Sequence, residues 1–206
     1  MNPTIIRMTL FGFSLLMFFA VVGEFIAAAS FTPAYDWVGN TISHLGATTC
    51  TSIVYPLDVV PVCSPEHLLL NSSLVVSGMA MLGIALVGRF TKGFSYWASL
   101  LWFVTGMSTM ASGLIPLDVS PEWHLFVTTP LYLSMPLAVL AGAIQLQGWV
   151  SRVGYGFAII GLCAGLWLAL YAGTQAYDGL LERLVIWPST LWVALAAIFG
   201  HPRPRS

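Results

Sequence analysis

Long apolar runs alternate with short polar punctuation along this chain. Crossing a hydrocarbon core of ~30 Å takes ~20 residues of helix, and six stretches meet that length, roughly 5–30, 66–88, 94–115, 122–146, 154–175 and 180–200. They predict an all-α membrane protein, a six-transmembrane-helix bundle built from helical hairpins. Segment 31–64 is long enough for a structured first extracytoplasmic loop or cap and too short for an independent core. Residues 1–206 therefore read as a single six-helix transmembrane domain.

Composition agrees with lipid as the solvent. Hydrophobic residues make up 58% of the chain and charged residues 7%, against about 25% charged in a soluble domain. The few charges are polarised. Arg7, Arg89, Lys92, Arg152, Arg203 and Arg205 fall at ends or loops that six spans place on one side, leaving Arg183 alone on the other. Cytoplasmic loops retain Lys and Arg, so both termini are expected in the cytoplasm of a multi-pass protein of a prokaryotic cell membrane. Asp36, Asp58, Glu66, Asp118, Glu122, Asp178 and Glu182 gather at the opposite face. Such a face offers no basic groove to a phosphate backbone, which excludes nucleic acid as a partner. The partners expected are membrane lipids, with a homo-oligomer or another membrane protein as further options. Ala27-Ala28-Ala29 imitates a signal-peptidase site, but the apolar run before it exceeds a usual signal core, and a retained first helix is expected.

Polar motifs mark where chemistry should be sought. Pro56-Leu57-Asp58-Val59, followed by Ser64-Pro65-Glu66-His67-Leu68, returns as Pro116-Leu117-Asp118-Val119, followed by Ser120-Pro121-Glu122-Trp123-His124-Leu125. Each copy carries a serine suited to the N-cap, proline at the first helical position and glutamate in the first turn. The repeat reads as shared ancestry or role; the alternative is chance recurrence of a common helix opening. Within the spans, Glu24 lies about one turn from the outer end of helix one, His67 and Asn71 stand four apart on one face of helix two, and His124 begins helix four with Thr128 one turn deeper. Polar groups at such depth face a bundle interior or a water-filled cavity. With Asp118 they predict an outward-opening pocket, to which Ser43 and His44 of the first loop add polar groups. The plainer reading keeps them apart: Asn71 bridging helices, Glu24 capping a neighbour, His67 and His124 in the headgroup zone.

Cys50 and Cys63 share the first loop, where an oxidising compartment lets them pair as a disulfide; free thiols or a metal site are the alternatives. Cys163, inside the fifth span, reads as a small packing residue. Gly161 and Gly165, and the stripe Thr105, Ser108, Thr109 and Ser112, read as helix-packing surfaces. His44, His67 and His124 with Asp118 supply ligand types that zinc accepts, but no His-Glu-x-x-His spacing occurs, and no metal site is expected. Neither a Walker loop, a Gly-x-Gly-x-x-Gly nor a Gly-x-Ser-x-Gly is present, so no cofactor is expected and no reaction is named.

Tyr35-Asp36, Asn40-Thr41-Ile42-Ser43-His44-Leu45-Gly46-Ala47, Cys63-Ser64-Pro65 with Asn71 and Gly78, and Gly113-Leu114-Ile115-Pro116-Leu117-Asp118 with His124 resemble the integral membrane family catalogued as domain of unknown function 998. That family is similar in turn to the group of damage-regulated autophagy modulators and the GPI-anchor remodelling factor, whose first outer loop carries Ile-Ser-Asp/Glu-x-Gly; His44 stands here at the acidic position. The resemblance implies a six-helix bundle with a polar outer pocket. The function expected is binding or remodelling of a lipid headgroup or lipid-linked molecule at Ser43, His44, Asn71, Asp118 and His124, flanked by His67 and Glu24. The alternative is a non-catalytic scaffold or small-solute carrier.

Overall fold

A computed structural model describes residues 3–56, 58–90, 94–173 and 176–203. Leu57 of the first repeat copy, Lys92, Arg205 and the expected end of the fifth span at Gln175 lie outside the described residues. Six helices make up the body: α1 (Pro3–Ser30), α2 (His67–Phe90), α3 (Tyr96–Leu114), α4 (Pro121–Gln145), α5 (Trp149–Tyr171) and α6 (Asp178–Phe199). Each packs on its neighbour in sequence, and α6 closes the ring against α1 and α4. Five of the six are long and apolar enough to cross a membrane. The exception, α3, has 19 residues and carries the hydroxyl stripe.

Large apolar side chains such as Phe19, Leu86, Phe103, Phe126, Leu170 and Ile198 point outward around the bundle, whereas water-soluble monomers rarely expose a contiguous apolar patch larger than a few hundred Å². Between helices, lipid removes the hydrophobic drive to associate, so close packing and hydrogen bonds do the holding. Small residues provide the first. A Cβ on Gly78 would stand 2.6 Å from the Gly106 carbonyl, bringing α2 and α3 backbone to backbone, and one on Gly165 would meet the Tyr132 carbonyl of α4. The stripe on α3 provides the second. Thr105 bonds Ser134 at 2.8 Å, and the Ser108 hydroxyl donates to the Val127 carbonyl and accepts from the Leu131 amide, the pair a regular helix joins. Ser108 thus satisfies α4 where Pro130 disturbs its ladder. Trp102, though aromatic and near the start of α3, is a core residue at 2% exposure, and Cys163, expected to pack inside α5, faces outward from it.

Helix starts differ from the sequence expectation for local reasons. Ser64 spends its hydroxyl on the Leu45 carbonyl, so α2 begins three residues later, at His67. Ser120 precedes Pro121 as expected but makes no side-chain cap bond. Gly148 takes a positive φ of 81°, which lets a three-residue link turn the chain so that α5 begins at Trp149 rather than at 154. The short strands β3 (Leu146–Gln147) and β4 (His201–Pro202) pair there.

At the opposite end, residues between α1 and α2 fold over the bundle. A single 3₁₀ turn (Ile42–Gly46) is followed by an antiparallel hairpin of β1 (Thr51–Val54) and β2 (Val59–Val62). A Cys50–Cys63 disulfide closes its base. Ile42, Leu45, Ile53 and Val62 form a small core with Ala27, Leu70 and Leu117 beneath them. The two repeat copies separate structurally: Asp58 sits at the hairpin turn, where the Tyr55 amide bonds its carbonyl, whereas Asp118 sits in a turn between α3 and α4, where the Ser120 amide bonds Pro116. Basic side chains Arg7, Arg89, Arg152 and Arg203 belong to the far end, where Arg7 reaches the Gly200 carbonyl and Arg203 the Leu146 carbonyl.

Candidate functional site

Consecutive residues of α6 anchor the cap. Arg183, 4% exposed, gives its Nε to Glu24 Oε1 of α1 at 2.8 Å. Its Nη1 donates to the carbonyls of Trp37 and Asn40, and its Nη2 to the Tyr35 hydroxyl at 2.5 Å. The guanidinium also lies 5.0 Å from the Trp37 ring centroid and 5.3 Å from that of Tyr35. Trp187 Nε1 donates to the other Glu24 oxygen at 2.9 Å. Burial holds the Tyr35 phenol well above its ordinary pKa, against the lowering pull of Arg183. The preceding residue, Glu182, accepts from the Ile42 amide at 2.6 Å and from the Tyr132 hydroxyl at 3.2 Å. One carboxylate thereby starts the 3₁₀ turn and the next residue's guanidinium fastens the loop before it.

The remaining polar groups hold the same cap from below. Asn71 Nδ2 donates to the Gly46 carbonyl at 2.9 Å. Asp118 Oδ2 accepts from the amides and hydroxyls of Thr48 and Thr49 at 2.9–3.0 Å. Partial burial alone would raise the Asp118 pKa; those four donors outweigh it and hold the carboxyl below its ordinary value. His67 is half-buried, with Nδ1 against the Ser64 carbonyl at 2.9 Å. Ser43 and His124 meet directly: His124 Nε2 lies 2.9 Å from Ser43 Oγ, and its Nδ1 lies 2.5 Å from the Ile115 carbonyl. A carbonyl only accepts, so Nδ1 carries the hydrogen and Nε2 accepts from the serine. That is the relation of a hydroxyl to a base oriented by a third group, with a backbone carbonyl in the orienting place and Asp118 engaged elsewhere.

His44 turns the other way, into a cleft of about 410 Å³ between the loop around 33–41, the hairpin turn and the junction of α5 and α6. Its Nδ1 accepts from the Thr41 amide at 3.1 Å, so Nε2 bears the hydrogen and donates to the Tyr55 hydroxyl at 2.8 Å. Burial lowers the His44 pKa to about 4, and the charge of Arg183, with that of His124 whenever it is protonated, pulls the same way. The ring is neutral at neutral pH. Asp36, Asp58 and Asp178 contribute carboxylates to the walls, and no Lys or Arg is among the described residues lining them. Asp178, 6% exposed, accepts the Gly173 amide on Oδ2 at 2.6 Å, while among the described residues neither its Oδ1 nor Thr41 Oγ1 in the same cleft has a hydrogen-bond partner. Among the described residues no group of three or more His, Cys, Asp or Glu is placed to hold a metal ion.

Of the seven residues singled out from the sequence, His44 lines this cleft, Ser43 and His124 pair beside it, Asn71 and Asp118 tether the cap beneath, Glu24 joins the Arg183 clasp, and His67 stands at the start of α2. Glu182, Arg183, Tyr55 and Asp178 were absent from that set. Two carried a signal: a lone arginine on the acid-rich side, next to an acid in an apolar span, is costly unless both are partnered. Tyr55 had none, because the hairpin that delivers it has no periodicity long enough to read.

The family model described as protein of unknown function (DUF998) matches residues 14–198. No curated protein and no solved structure matches the chain.

Proposed function

This chain belongs to the DUF998 family, and we propose that its members of this form present a ligand site at one membrane face, the cleft beneath the cap binding the polar headgroup of a lipid or a lipid-linked molecule. One observation carries the reading. A cavity of headgroup size opens at the end of an apolar bundle, and two of its buried polar atoms, Asp178 Oδ1 and Thr41 Oγ1, have no partner among the described residues, whereas buried polar groups are ordinarily satisfied.

The membrane placement belongs to the same proposal. All six helices cross, α3 included, because its hydroxyls are satisfied within the bundle by Ser134, Val127 and Leu131. The Arg-bearing end with both termini lies in the cytoplasm and the cap outside a prokaryotic cell membrane. Distant kinship to the autophagy-modulator and GPI-anchor remodelling group extends this reading to lipid chemistry. The test is native mass spectrometry of the full chain released from nanodiscs of mixed lipids. Retained lipid that disappears on filling the cleft with Ala176→Trp supports the reading, and equal retention by both proteins refutes it.

The Ser43–His124 pair favours a second reading, remodelling by acyl transfer. Ser43 Oγ would attack an ester carbonyl as His124 Nε2 takes its proton, the leaving alcohol would take that proton back, and water would later release the acyl group. A fluorophosphonate probe should label Ser43 in the folded chain and fail on Ser43→Ala and His124→Gln; no labelling of the wild type rejects this reading.

A further inference from the structure

We infer that the cleft under the cap recognises a primary ammonium group, seated between Asp178 Oδ1 and Thr41 Oγ1; the inference rests on the proposal that this cleft is the ligand site.

Charge sets the sign of the ligand. Asp36, Asp58 and Asp178 line the cleft, no lysine or arginine is among the described lining residues, and a bare anion would be repelled by those carboxylates with no cation to offset them. The nearest arginine cannot turn to help, because Arg183 commits Nε to Glu24, Nη1 to two carbonyls and Nη2 to Tyr35. His44 stays neutral and directs its remaining hydrogen to Tyr55.

Hydrogen bonding sets the kind of cation. Asp36 Oδ1 is taken by the Val38 amide and Asp58 Oδ1 by the Val59 amide, both at the exposed rim. Asp178 differs: it is buried, and one oxygen accepts nothing from the described residues. Leaving such an oxygen unpaired forfeits the hydrogen bond it had with water, and a donor from a ligand recovers that loss. A second orphan, Thr41 Oγ1, lines the same cavity. An ammonium with three N–H donors can serve both oxygens at once. A quaternary ammonium has no N–H and relies on a cage of Trp, Tyr or Phe faces, and Tyr55 alone of those types is among the described lining residues. Metal binding is disfavoured by the absence of a three-ligand group among the described residues. Tyr55 completes the selection. Its oxygen accepts from His44, so its own hydrogen is available to an anionic oxygen of the same ligand, as in an ethanolamine phosphate.

An ammonium of this class comes from an ethanolamine headgroup or from a soluble amine. The experiment uses the full chain in detergent micelles, with native mass spectrometry against phosphatidylethanolamine, phosphatidylcholine and phosphatidylglycerol of matched acyl chains, and calorimetric titration with free ethanolamine phosphate and spermidine. Expected is at least tenfold preference for phosphatidylethanolamine over both other lipids, lost in Asp178→Asn and weakened in Thr41→Val. Asparagine can still accept the Gly173 amide, and Thr41→Val keeps the test alive should Asp178→Asn fold poorly. Binding of free amines that depends on Asp178, without lipid preference, supports the ammonium seat and overturns the lipid proposal. Lipid retention indifferent to headgroup, or unchanged in both variants, overturns the ammonium inference and leaves the lipid proposal standing. Binding of none of the five probes overturns both.

Discussion

Removing the Arg183 side chain should unfasten the cap from the bundle. Arg183→Ala deletes four hydrogen bonds at once, to Glu24, Trp37, Asn40 and Tyr35. The losses are unequal. The Asn40 carbonyl keeps the Tyr35 hydroxyl at 3.0 Å, and Glu24 keeps Trp187, but one Glu24 oxygen is left charged and alone at 1% exposure. Breaking a buried pair by removing one partner costs about 3–5 kcal/mol. For a chain of this size each kcal/mol moves the melting temperature by about 2–4 °C, so a drop of about 6–20 °C is expected. The assay is thermal unfolding of the detergent-solubilised chain followed by tryptophan fluorescence. Glu24→Gln combined with Arg183→Met supplies the control, because glutamine still accepts from Trp187 and no charge is stranded; the double variant should melt above Arg183→Ala. If Arg183→Ala melts within about 2 °C of wild type, or the second substitution recovers nothing, the clasp is not what holds the cap.

Acid should destabilise the fold in two windows. The unfolded chain protonates His44 below its ordinary 6.5 while the folded chain resists to about 4, so stability falls as pH drops through that range, by on the order of 3 kcal/mol; His44→Gln should flatten this part of a melting-temperature profile. Asp118, held below its ordinary 3.8, contributes stability above that value that is lost at lower pH, and Asp118→Asn should remove that lower limb while leaving the first. Replacing both Cys50 and Cys63 by serine opens a loop of 13 residues' separation and should cost about 3 kcal/mol, read by denaturant titration, with equal midpoints refuting a stabilising role. Gly165→Leu drives a side chain into the Tyr132 carbonyl and should cost about 1–3 kcal/mol, whereas Gly12→Ala, with nothing within 4 Å, should be neutral in the same melting assay.

How far the chain could be read depends on the range over which each signal acts. Helices are local: their hydrophobic length and the Ser-Pro-Glu openings are written within ~20 consecutive residues, and all six were legible to within a few positions. The boundaries that moved did so through contacts across the fold, as when the Leu45 carbonyl takes the Ser64 hydroxyl. The site was legible in its inventory and less so in its grouping. Ser43 and His124 were named for separate reasons and meet across 81 positions. Asn71 and Asp118, which looked like members of one pocket, each hold a different carbonyl or amide of the cap. The cleft itself depends on a turn at Tyr55 and a helix start at Asp178, neither of which any periodic pattern announces. A tetrapeptide match between Asp58 and Asp118 was misleading because identical short strings take their conformation from what they pack on, a hairpin in one case and a helix connection in the other.

The bond between Glu24 and Arg183 also imposes an order on biosynthesis. Their separation of 159 residues means that, at ~5–20 residues per second, the carboxylate of the first helix waits about 10–30 s for its counter-ion. During that interval a nascent chain carries an unneutralised acid near a lipid boundary. Translation products that stop before the last helix never acquire Arg183, and their first-helix carboxylate stays without its partner.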